Sequence, residues 1–79
     1  MHNDLTSATT LMPLTESEAR AFASSPRFQA HTLRHLRRRA LATLKPAMLV
    51  AHDKILATCS ISGVVDVIGP VLVECEAQE

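Results

Sequence analysis

The chain has 79 residues and a mass of 8.6 kDa, and its eight basic and eight acidic side chains cancel to zero formal charge. Hydrophobic residues make up 47% of it, yet aromatic ones only 3%, with no Trp and no Tyr. These values exclude two domains, a disulfide-rich scaffold, a collagen-like chain and an acidic disordered one. They also speak against a self-contained enzyme, because a catalytic cleft needs walls that so short a chain rarely spares.

Area scaling leaves such a chain exposing roughly 4,700 Å² when folded, out of about 12,500 Å² unfolded. The core must come from Leu, Ile, Val, Ala and Met, since the only aromatic side chains are Phe22 and Phe28. A core of that size gains from a partner or a second copy, so a homo-oligomer is expected. The two cysteines, Cys59 and Cys75, are too few for a disulfide framework and read as free thiols in a reducing compartment. No secretory signal and no transmembrane run of about 18 apolar residues is visible, and a cytoplasmic location is expected.

Residues 1–13, MHNDLTSATTLMP, lack a helical period and read as a flexible N-terminal arm ahead of one small domain, 14–79. Thr15-Glu16-Ser17-Glu18 fits the capping box and predicts a short helix over about 16–24, burying Ala19, Phe22 and Ala23. Ser25 is a good N-cap and Pro26 suits the first helical position, so a second helix is predicted from Pro26 to Leu44. Leu33, Leu36, Ala40 and Leu44 form its apolar face. Pro46 breaks it. A third helix is predicted over 47–60, where Met48, His52, Ile55 and Cys59 follow a 3–4 spacing. The competing reading there is a hairpin, Ala47–His52 and Ile55–Ile61 around Asp53-Lys54. The β-branched run after Ser62-Gly63 predicts strands near 64–68 and 71–75, joined at Gly69-Pro70. The fold class is therefore α+β: a short capped helix, a long basic helix, a third helix and a C-terminal β-hairpin. The alternative is a small all-α bundle.

Zero net charge hides a segregated distribution. Between Pro26 and Lys45 lie Arg27, Arg34, Arg37, Arg38, Arg39 and Lys45, with no Asp or Glu among them. On a helical wheel Arg27, His31, Arg34, His35, Arg38 and Lys45 fall within about 100° of one another. Arg37 lies near the leucine face and Arg39 on the other flank. Three readings compete: a solvated face paired with the C-terminal acids, a surface for an acidic protein, and a surface for nucleic acid. A neutral pI and the absence of stacking aromatics rank nucleic acid last. Without aromatics on its apolar face, the helix does not suit a membrane surface. The short helix, the Ser24-Ser25-Pro26 turn and the basic helix resemble a helix-turn-helix over about 25 residues, with no diagnostic motif and no residue role carried over.

Other chemistry is thin. His31 and His35 stand one helical turn apart, a spacing that suits zinc. Thr32-Leu33-Arg34 between them lacks the metalloprotease glutamate, and the flanking arginines repel a dication, so the two read as surface histidines and no metal or other cofactor is expected. His52 and Cys59 share a predicted helix face about two turns apart, too far for a thiol–imidazole pair. Cys59 reads as a small buried hydrophobe. Asp66, between Val65 and Val67, reads as facing solvent. The sequence thus points to a non-enzymatic interaction or regulatory protein of inhibitor or accessory type. Its expected site is the basic helix (Arg27, Arg34, Arg37, Arg38, Arg39 and Lys45), set against an acidic surface of a larger partner. The alternatives are a dimeric DNA-binding regulator and a structural or assembly subunit.

Overall fold

Thr15 carries the first structural decision. Its hydroxyl accepts from the Glu18 amide at 3.1 Å while its own amide donates to the Glu18 carboxylate at 2.9 Å. Both orphan donors are thereby satisfied, and α1 runs from Glu16 to Ser24. The Ser25 hydroxyl accepts from the Phe28 amide, and with Pro26 in its first turn α2 spans Pro26–Thr43. The computed structural model describes residues 9–68. Most of the N-terminal arm, the Gly69-Pro70 turn, the predicted strand 71–75 and the acidic tail lie outside them.

The fold is α+β, with two helices and one four-stranded mixed sheet. The strands are β1 (Thr10–Pro13), β2 (Ala47–Ala51), β3 (Lys54–Cys59) and β4 (Val65–Val67), side by side in that order. β1 pairs parallel to β2, and the remaining pairs are antiparallel. Parallel neighbours need a long crossover, and the α1–α2 pair supplies it.

Four expectations are corrected. Residues 47–60 are not a helix but β2, a two-residue turn and β3, and with them the all-α alternative falls. The 3–4 spacing there was a coincidence of a short apolar run. The physical period is two: Ala47, Leu49 and Ala51 are buried, with Met48 and Val50 half-buried between them. The turn residues His52 and Asp53 both have positive φ, at 53° and 65°, the backbone that matches the twist of a tight hairpin. Residues 10–13 belong to the sheet rather than to an arm, tied in by Thr10 N–H to the Pro46 carbonyl at 2.9 Å and Leu14 N–H to the Val50 carbonyl at 2.8 Å. Leu44 leaves the predicted apolar face. It takes the left-handed conformation at the end of α2 (φ 58°) and is 75% exposed. Lys45 consequently lies beyond the helix, outside the wheel on which it clustered with the arginines.

The core lies between the helices and one face of the sheet. Phe22, Leu36, Leu49, Leu56 and Cys59 are its largest fully buried side chains, and Ala19, Ala40, Ala47, Ala51 and Ala57 complete it. Half of these ten residues are alanine, so α2 can lie close over the strands with little to interdigitate. One buried Phe is then enough to fill the space. A bulge between Leu49 and Val50 breaks the β2–β3 register, so Val50 meets Ile55 while Leu49 meets Ala57. Leu56 and Ala57 are both buried although consecutive, which strict alternation forbids and a bulge permits.

Candidate interaction surface

Eighteen residues without an acid form α2. Its buried side is Thr32, Leu36 and Ala40, with Phe28, Gln29 and Leu33 half-buried beside them. Opposite Leu36, at 3.6 residues per turn, Arg27, Arg34 and Arg38 project within about 40° of one another over about 16 Å of axis. All three are exposed. The other two arginines are exposed on opposite flanks of that line. Arg37 leans over the β3–β4 connection, where a methyl group added to Gly63 would lie 3.0 Å from its Nε. Its charge also reaches Cys59: burial pushes that thiol up, and the guanidinium pulls the other way. Arg39 stands on the far flank, and its carbonyl accepts from the Thr43 hydroxyl at 2.7 Å.

Six predicted site residues therefore divide. Arg27, Arg34 and Arg38 are brought together, Arg37 and Arg39 diverge, and Lys45 sits past the helix end. An ion pair between Arg20 and Glu16, at 2.9 Å, lies on α1 and leaves this line untouched. No acid among the described residues pairs with Arg27, Arg34 or Arg38. With no acid beside them to offset their charges, the three guanidiniums sum to a region of positive potential on this face.

His31 and His35 border the arginine line. Their Nε2 atoms are 3.2 Å apart and their rings meet edge to face, at a centroid distance of 4.5 Å. The tautomers of the two rings set which Nε2 donates to the other. Ser25, Arg27, Phe28 and His31 line an open groove of about 420 Å³ at the start of α2. Phe28 gives it an apolar floor, and this combination was invisible as a pattern because Ser25 belongs to the helix cap.

His52 and Cys59 stay too far apart to pair, as expected, but not on a shared helix face. His52 is in the hairpin turn and Cys59 is at the far end of β3, so about five residues of strand, or about 16 Å, separate them. Asp66 is exposed opposite Thr58. No group of three or more His, Cys, Asp or Glu side chains gathers among the described residues. No helix there is long and apolar enough to cross a membrane. Compared with protein families, curated proteins and solved structures, the chain matches none. The reading of the surface therefore rests on its own charges and shape.

Proposed function

We propose that this protein is a non-enzymatic interaction or regulatory protein that docks α2 against an acidic surface of a larger protein. The observation that supports this reading is the line of Arg27, Arg34 and Arg38, exposed and without an acid partner among the described residues. Three guanidiniums at that spacing offer forked donors to carboxylates on a complementary face. The groove beside Arg27 adds an apolar seat at Phe28 for a side chain of the partner. Arg37 and Arg39 widen the positive field without joining the line. The partner's acids steer the encounter, and the apolar seat slows release.

The test is capture of partners from the native cell by the full chain, with Arg34→Glu/Arg38→Glu as control. The expected result is a retained protein that the double reversal loses and that weakens as salt rises from low to physiological. Retention unaffected by both changes overturns the reading and favours a subunit held through apolar faces. Capture of nucleic acid in place of protein, lost on the same reversal, overturns it in favour of a DNA-binding regulator.

A further inference from the structure

His31 and His35 are exposed, lie one turn apart on α2 and hold their Nε2 atoms 3.2 Å from each other. Two nitrogens at that separation have the bite of a chelate. Zinc–imidazole bonds are about 2.0–2.1 Å, so an ion equidistant from both nitrogens would subtend an angle of about 100–106°. That lies close to the tetrahedral angle and well above the right angle of a square-planar site. The helix backbone already holds the two rings on one side, and a turn of the rings about their side-chain bonds brings both Nε2 lone pairs onto one ion. We propose that His31 and His35 form a two-histidine site for a divalent ion of the zinc class, bound through both Nε2 atoms.

The proton balance is simple. In the free pair one Nε2 carries the hydrogen that the other accepts. On binding, that proton moves through solvent to the Nδ1 of the same ring, and both Nε2 lone pairs go to the metal. No third His, Cys, Asp or Glu joins the pair among the described residues, so the remaining positions are open to water or to an incoming carboxylate. The neighbouring Arg27, Arg34 and Arg38 lower the affinity for a dication. They stand within one turn of the two rings, closer than a Debye length, so salt relieves this repulsion only in part. This site stands independently of the acidic-partner reading, since neither the arginine line nor a second protein is needed to form it.

The experiment is titration of the full chain carrying Cys75→Ser with zinc chloride, read by calorimetry and by the histidine ring resonances. Magnesium chloride serves as the oxygen-seeking control. The expected result is one zinc per chain, with the His31 and His35 signals moving together and magnesium inert. His35→Gln removes one arm of the chelate and is expected to weaken binding about a hundredfold. An unchanged far-UV spectrum in that variant separates loss of the ligand from loss of the fold. Zinc at saturation raises the melting temperature of the parent and not of His35→Gln. Absence of zinc binding, or binding that survives His31→Ala and His35→Gln undiminished, overturns the site.

Discussion

Thr10 illustrates how much one atom decides at the scale of the residue. Its Oγ1 is buried at the head of β1 and meets no hydrogen-bond partner among the described residues. A buried hydroxyl without a partner costs on the order of 1–3 kcal/mol. Thr10→Val keeps the β-branched shape and is expected to raise unfolding stability by about 1 kcal/mol, measured by urea denaturation. A loss of stability would show that the hydroxyl is satisfied after all. Cys59 carries a second consequence. Burial raises its thiol pKa in the folded chain despite the opposing charge of Arg37. The protonated form is favoured in the folded state, so the associated stability is complete below the ordinary thiol range and is lost as pH rises through the folded value. Between neutral and strongly alkaline pH the parent should therefore lose more stability than Cys59→Ala. Parallel pH curves for the two would refute this.

Among the elements, the helices were legible in the sequence because their signals are local. Thr15 and Glu18 need only each other, and Ser25 with Pro26 needs only the next turn. Thr15→Ala should consequently destabilise the fold by about 1 kcal/mol in thermal melts without altering β-sheet content. The strands were less legible. β1 is four residues long and owes its state to Ala47–Val50, more than thirty positions away. The 47–59 segment carries few residues of high strand propensity, and the hairpin depends on His52 and Asp53 accepting positive φ. Neither residue advertises that in the way Asn-Gly does. Gly63, with φ at 93°, marks the β3–β4 connection, and its lack of a side chain lets Arg37 pass.

For the whole molecule, a core of five alanines and five larger side chains leaves little redundancy. A chain of this length has a stability on the order of 4–12 kcal/mol. Leu36, fully buried where α2 crosses the sheet, is the position where truncation reaches furthest. Leu36→Ala should cost about 2–5 kcal/mol, visible as a large fall in the urea midpoint or as loss of a cooperative transition. The described helices lie on one face of the sheet, and α2 lies over β1, β2 and β3. On the opposite face Leu11, 51% exposed, and Ile55 flank half-buried Met48 and Val50.

The zero net charge was readable from composition, and so was the run of six cations without an acid. The helix caps and the start of α2 at Pro26 were readable too, since each depends on neighbours within a few positions, and the β-branched run after Gly63 was enough to point to the α+β class. Long-range pairing settled the rest. It turned 47–59 into a hairpin, drew Thr10–Pro13 into the sheet, and left His52 in the turn, the length of β3 away from Cys59. It also sorted the cations. The wheel could place Arg27, Arg34 and Arg38 together. Where α2 stops, and what passes beside Arg37, depends on the left-handed turn at Leu44 and on the loop at Gly63. Those are fixed by the sheet on which the helix rests.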